Sequence, residues 1–285
     1  NDLNLLSIFM NNKNIFSETV NDFGKEWNVY DFKNNLPKLE KIFNEYFSEF
    51  PWETLDINSE CTDLGCGSGR WSYFLAEKVK KINCVDASAA AISVAKRNLK
   101  NFKNIEFHNV SISDIAIKDN SQDFIFSLGV LHHLPDTYKA IELISEKLKK
   151  GKPLFLYLYY NFDNKNKFYY YLWYFSNIVR LFISRLPHSI KLPITRLIGL
   201  GIYYPFAKIA YILKTIGINV THFPLSYYSD KTLYVMMNDA LDRFGTRHET
   251  RFSRHQIKSM LSRAGFEKIN FKNSAPYWCV ISFKK

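Results

Sequence analysis

Three glycines at alternate positions, Gly65, Gly67 and Gly69, follow the short strand Cys61–Leu64 and precede a helical stretch, Trp71–Val79. A strand running into such a turn and then a helix brings bare backbone and unpaired helix N–H groups to one point. That arrangement cradles a ligand carrying a carboxylate. It is not the G-x-G-x-x-G turn of nicotinamide binders, because Arg70 stands where the third glycine would fall. A second strand, Ile82–Val85, runs into Asp86-Ala87-Ser88. A carboxylate about 20 residues past the turn is placed to take ribose hydroxyls. The turn alone is weak evidence; with Asp86 in register it constrains the fold strongly.

The rest of the chain agrees with that start. Helices are expected at Ala89–Leu99 and Tyr138–Leu148, and strands at Ile105–Val110, Asp123–Ser127 and Leu154–Tyr160. Alternating strands and helices with short connections give a doubly wound, Rossmann-like, mostly parallel sheet covered on both faces. After Asp163 the alternation stops, and an aromatic, basic segment punctuated by Pro187, Pro193, Pro205 and Pro224 predicts several short helices. The pattern resumes with a helix at Ser253–Ala264, opened by a Ser253–Gln256 capping box and closed by Gly265. Strands at Phe266–Phe271 and Trp278–Phe283, joined through Ser274-Ala275-Pro276, complete the sheet, the last of them antiparallel. The expected organisation is therefore an N-terminal helical segment (1–55), an α/β core (56–163), an inserted helical cap acting as a substrate lid (164–230), and a C-terminal return to the core sheet (231–285).

Asp63 to Gly69, Asp86-Ala87-Ser88 and Ser127-Leu128-Gly129-Val130-Leu131-His132-His133-Leu134 together resemble the class I S-adenosylmethionine-dependent methyltransferases, in their small-molecule branch, type 11. The run Asp239–Glu249, with Arg251-Phe252 and Ala264-Gly265-Phe266, is also similar to members of that branch. The resemblance implies S-adenosylmethionine as cofactor, with Gly65 and Gly67 near its methionine part, Asp86 on the ribose, and the backbone at Leu128 beside the sulfonium. Asp63, Cys66, Ala87 and Ser88 complete that set. The family often has Asp-Ala after the third strand to read adenine; here the matching positions are Ser111 and Ile112, with Asp114 beyond. Either Ser111 or Asp114 is then the adenine partner.

Methyl transfer from a sulfonium is an in-line displacement in which alignment supplies much of the rate. An oxygen or nitrogen acceptor also needs a base near neutral pH, a task suited to histidine. The candidates are His132, His133 and His248; for each, shaping the site wall is the bland alternative. Oxygen is the preferred acceptor atom, on a small molecule or a sugar- or lipid-linked one. A nucleic-acid methyltransferase is the rival enzyme, disfavoured because the fourth strand ends in Ser-Leu-Gly-Val and not Asp/Asn-Pro-Pro-Tyr/Phe. A non-catalytic S-adenosylmethionine-binding subunit is the other alternative.

The net charge of +11 is unevenly spread: no Asp or Glu lies between Asp163 and Asp230, while eight Lys or Arg do. Such a field favours anionic partners, an anionic membrane surface among them. The aromatic run Phe168–Phe175 fits the core of a cap or a lipid-facing surface. The longest apolar run, Leu197–Ala207, is shorter than a membrane span, and Asn1–Met10 lacks the basic start of a secretory signal. Cys61, Cys66, Cys84 and Cys279 stand at no metal-site or redox spacing, so no metal is expected and reduced thiols in a cytoplasmic protein are.

Overall fold

The computed structural model describes residues 14–29, 36–161, 167–221, 223–273 and 279–285. The segments Asn1–Met10 and Ser274–Pro276 lie outside the described residues, as do Lys165 and Trp278. In chain order the main elements are α1 (Ser17–Val29), α2 (Leu36–Tyr46), β1 (Glu60–Leu64), α3 (Arg70–Leu75), β2 (Lys81–Val85), α4 (Ala89–Asn98), β3 (Ile105–His108), β4 (Phe124–Leu128), α5 (Thr137–Lys147) and β5 (Pro153–Tyr157). There follow α6 (Lys167–Ile183), α7 (His188–Thr215), α8 (Leu233–Gly245), α9 (Arg254–Arg263), β6 (Phe266–Phe271) and β7 (Cys279–Lys284).

All five residues of β4 are buried, which only a strand covered on both faces allows. The seven-stranded sheet has the order β3-β2-β1-β4-β5-β7-β6. β1 to β5 are parallel, and β7 enters antiparallel between β5 and β6. Side chains alternate between two cores. Phe124, Phe126 and Leu128 join the face packed by Leu39, Phe43 and Phe47 of the N-terminal helices and by Ile92 and Ala95 of α4. Ile125, with Leu64, Val85 and Leu154, joins the face packed by Ala140, Ile141 and Ile144 of α5 and by Ile257 and Leu261 of α9. α9 opens with the Ser253–Gln256 capping box expected from the sequence.

The strand order reverses direction between β1 and β4, and such a switch point opens a crevice at the carboxyl ends of the strands. The glycine turn after β1 and the His132–His133 turn after β4 both lie at that edge.

The chain divides into two compact units, one of residues 1–163 and 248–285 and one of residues 164–247. The second unit does not end at residue 230: α8 belongs to it, because Met236, Ala240 and Phe244 pack with Ile183, Tyr203 and Ala207 of α6 and α7. Nor is it built of several short helices. α6 and α7 are long, and α7 continues through Pro193 and through a π-helical turn at Gly199–Tyr203. By length and composition α7 could cross a membrane, which corrects the reading of Leu197–Ala207 as too short a run. α7 comes close to α8 at Gly199, where a Cβ would stand 3.1 Å from Met237.

Candidate active site

Gly65 and Gly67 have φ of +75° and +55°, which L side chains rarely adopt. Space forbids a side chain there as well. A Cβ on Gly65 would lie 2.4 Å from Val130, and one on Gly67 would lie 2.7 Å from the indole of Trp27. The turn is pinned to the next strand, since the N–H groups of Gly65 and Cys66 both donate to the Val85 carbonyl. Ser68, between the glycines, is buried, and its hydroxyl has no hydrogen-bond partner among the described residues. An orphaned buried hydroxyl in a glycine turn fits a site completed by a polar ligand.

Asp86 joins the two turns. Its Oδ2 accepts the Gly67 N–H at 2.9 Å and its Oδ1 accepts the Ser88 N–H at 2.8 Å. Burial raises the Asp86 carboxyl above its ordinary value, and the N–H groups of Ser88 and Gly67 oppose that rise. Each oxygen keeps a second lone pair for a ligand hydroxyl. Ala87 is half-buried beside it, and Ser88 caps α4 by accepting from Ala91 N–H. Asp63 lies deeper. It accepts the Ser72 hydroxyl at 2.7 Å, and burial pushes its carboxyl up to about 7 against the help of that hydroxyl. The neighbouring Cys84 sulfur and burial push the Cys66 thiol well up, so it is a packed thiol and not a nucleophile.

The two candidates for the adenine position meet each other: the Ser111 hydroxyl donates to Asp114 Oδ2 at 2.9 Å. Ser111 is buried, Ile112 half-buried and Asp114 exposed. Asn109, expected from the sequence within the third strand, lies beyond its end at His108. Its amide donates to the carbonyls of Asp86 and Ala87, fixing the turn that carries Asp86. A polar side chain just past a strand at the carboxyl edge was the available signal.

The histidines cluster through the backbone as much as through their rings. His132 is fully buried, stacks on Tyr159 at 3.8 Å, and neither ring nitrogen has a partner among the described residues. Burial, then the neighbouring His133 and Arg251, hold its pKa well below the usual value, so the ring is neutral at physiological pH. His133 Nδ1 lies 2.7 Å from the carbonyl of His248, and a carbonyl accepts only, so Nδ1 carries the proton. The His248 ring turns elsewhere: it stacks on Phe16 at 3.8 Å, with Glu18 beside it. Thr250 N–H donates to the His132 carbonyl, and Phe252 pairs with Tyr160, so the C-terminal motif is stitched to the histidine turn. Arg251 lies over Tyr159 and is paired with Glu249 at 2.7 Å. Tyr159 escapes notice in the sequence because it reads as the end of the fifth strand; that strand stops at Tyr157. Among the described residues no cluster of His, Cys, Asp and Glu is arranged for a metal ion.

Residues 62–156, which span the glycine turn, Asp86 and the histidine turn, match the family described as Methyltransferase domain. This is a class I S-adenosylmethionine-dependent methyltransferase domain. S-adenosylmethionine is its cofactor. The chain is 23% identical to the ubiquinone/menaquinone biosynthesis C-methyltransferase UbiE of Rickettsia felis, over 86% of this chain and 82% of that one. It is 28% identical to the ubiquinone biosynthesis O-methyltransferase of Pseudoalteromonas translucida, over 42% of this chain and 49% of that one. Two relatives matched at 31% and 34% identity are covered over only 24% and 51% of their own length. In fold the chain is similar to the YcgJ protein of Bacillus subtilis, with a TM-score of 0.50 and 15% identity over 80% of this chain and 70% of that one.

The candidate site residues thus fall into two groups. Gly65, Gly67, Asp86, Ala87 and Ser88 form one contiguous surface of two turns joined by the Asp86 carboxylate. Asp63 and Cys66 support that surface from beneath, being almost fully buried. Val130 packs on Gly65 and so sets the His132–His133 turn beside the cofactor turn, with Leu128 at the end of β4.

Proposed function

We propose that the protein transfers the methyl group of S-adenosylmethionine to a hydroxyl on a small-molecule acceptor or a sugar- or lipid-linked one. The observation that carries this reading is the short path from cofactor turn to histidine turn: Val130 lies against Gly65, and His132 and His133 follow two and three residues later. S-adenosylmethionine supplies a methyl group already activated on a sulfonium. Asp86 and the Ser68 hydroxyl of the glycine turn would hold it. What remains for the protein is to align a hydroxyl with that methyl group and to remove the hydroxyl proton.

His133 is our candidate for the proton acceptor. With Nδ1–H bound to the His248 carbonyl, Nε2 is the ring nitrogen that would take the proton. The carbonyl orients the imidazole much as a third group orients the base of a nucleophile–base pair. His132, neutral and stacked on Tyr159, would accept a hydrogen bond from the acceptor without competing for the proton. In this reading His248 acts through its backbone. The insertion leaves the core after residue 163 and returns at His248, and residues 160–161 pair with Phe252 beside the histidine turn.

The relatives' names include both a C- and an O-methyltransferase of ubiquinone biosynthesis, which supports a small-molecule acceptor while leaving carbon as the competing atom. Cytoplasmic residence belongs to the same proposal. The test is a panel of phenols, glycosides and prenylated phenols, scored by formation of S-adenosylhomocysteine and by mass spectrometry of the product. Turnover to a methyl ether supports the reading. Methylation at carbon, turnover on nucleic acid alone, or tight cofactor binding with no turnover on any of them overturns it.

A further inference from the structure

Nineteen of the twenty-one large apolar side chains exposed among the described residues lie between Tyr170 and Ile218, on α6, α7 and the turn after them. The most exposed include Tyr171, Phe175, Phe182, Leu197, Ile212 and Ile216, each between 58% and 72% accessible. On a helix of a water-soluble unit the face away from the core is polar. On α7 the order is inverted. The buried stripe is narrow and built of Lys191, Thr195, Gly199, Tyr203, Ala207 and Ala210, whereas the broad outer face is apolar. A patch of this extent marks a surface that meets something.

Charge selects the occupant. The same segment contains no Asp or Glu, and Arg185, Arg196, Lys208 and Lys214 are exposed on it. Lys208 lies over the rings of Tyr204 and Tyr211, an aliphatic stem along aromatic surface with its charge outermost. A second copy of the chain would bring the same cations and no carboxylates to this face, so self-association is opposed by like charge. A bilayer with anionic headgroups supplies both an apolar phase and the opposite charge. Crossing the bilayer fits less well, since α7 would carry Arg196 and Lys208 into hydrocarbon, and it packs along α8, which bears Asp239, Asp242 and Arg243.

We propose that α6 and α7 form an in-plane docking surface for anionic lipid bilayers, their aromatic and aliphatic side chains entering the interface and their four exposed cations meeting the headgroups. This rests on the second unit alone and is independent of the acceptor assigned above; its failure would leave methyl transfer untouched.

The test is co-sedimentation of the full chain with phosphatidylcholine vesicles, with and without phosphatidylglycerol, at low and high salt. Two variants are compared with wild type, R196Q/K208Q/K214Q and L197S/I212S, each first shown to bind S-adenosylmethionine as wild type does and to keep its helical circular dichroism. Wild type is expected to sediment with the anionic vesicles and to be released by salt. Each neutralised cation should weaken partitioning about five-fold, so the triple variant should lose roughly a hundred-fold. L197S/I212S should also weaken it, by about ten-fold or more. No binding to anionic vesicles at low salt, or equal binding to neutral ones, overturns the proposal. Binding abolished in the charge variant but unchanged in L197S/I212S overturns insertion. A dimer in sedimentation velocity that L197S/I212S dissolves, without vesicle binding, would assign the face to a second copy instead.

Discussion

The Asp86 carboxylate bridges to Gly67, accepting its backbone N–H at 2.9 Å, so the acid after β2 holds the glycine turn after β1 in place. One side chain therefore shapes the cradle and, in the proposed function, would present its remaining lone pairs to the cofactor ribose. Asp86→Ala removes both functions and strands the N–H groups of Gly67 and Ser88. S-adenosylmethionine affinity should fall by on the order of 1.5–3 kcal/mol for each charge-assisted hydrogen bond removed. Asp86→Asn, which keeps an acceptor, should fall in between. Calorimetric titration of the three proteins decides it; equal affinity in folded variants would remove Asp86 from the site.

Gly65→Ala tests the turn by a different route. A residue other than glycine at φ +75° costs roughly 1–2 kcal/mol, and a Cβ 2.4 Å from Val130 adds an overpacking cost of about 1–3 kcal/mol. Adding Val130→Ala should recover the second contribution and leave the first. Urea unfolding of both single variants and the double variant closes the cycle, and strictly additive effects would deny that the two residues touch.

The glycine turn, Asp86 and the strand–helix alternation were legible because each is a local rule: a positive φ, a fixed offset, a change of period. The long helices of the second unit were not, because Pro193 and Pro205 read as breaks. Pro193 sits inside α7 despite removing a helical hydrogen bond, and Pro205 falls just after the π-helical turn, where the ladder is already displaced. Burial of Thr195, Gly199, Tyr203 and Ala207 against α8 keeps the helix continuous. The true end of the insertion was hidden for a related reason. The apolar spacing of Met236, Ala240 and Phe244 announces a helix but not the unit on which it packs. Among the site residues, the pairing of His133 with the His248 carbonyl spans 115 positions and has no local signature.

Two buried groups give stability opposite slopes with pH. Asp63 is raised to about 7, so between about pH 4, where the unfolded carboxyl titrates, and pH 7 the folded state binds more protons and stability falls as pH rises. His132 is held well below 6.5, so the unfolded state binds the extra proton and stability is lost as pH falls below 6.5. Relative to wild type, Asp63→Asn should therefore gain stability on going from pH 4.5 to pH 8. His132→Phe, which retains a ring to stack on Tyr159, should gain it on going from pH 7 to pH 5. Denaturant midpoints at these values test the pair, and parallel changes in both variants would refute the assignment.

His133→Asn isolates the proposed base. The asparagine amide can still donate to the His248 carbonyl, yet it offers nothing at the position of Nε2. The expected result is a drop in kcat of about 10²–10⁴ with cofactor affinity unchanged. A variant that turns over at the wild-type rate would return His133 to a structural role.

Among the described residues, two cations of the acid-free stretch are not at the surface at all. Lys191 is 1% accessible and its Nζ donates to the Gly245 carbonyl at 2.9 Å, at the end of α8. Arg180 Nη1 donates to the Thr246 and Arg247 carbonyls just beyond it. The last carbonyls of a helix lack partners along its axis and carry the negative end of its dipole, so they are suited to hold buried cations. These carbonyls thus help the segment to carry buried positive charge. Lys191→Met keeps the apolar stem and removes the charge-assisted bond, and should cost on the order of 1.5–3 kcal/mol. The loss should be confined to the second unit, appearing as faster amide exchange across Leu233–Gly245 while exchange in β1, β4 and β5 stays as in wild type. Lys208→Gln, at an exposed position on the same helix, should leave α8 unchanged. Slow exchange in α8 of the Lys191→Met protein would show that packing alone holds the helix end.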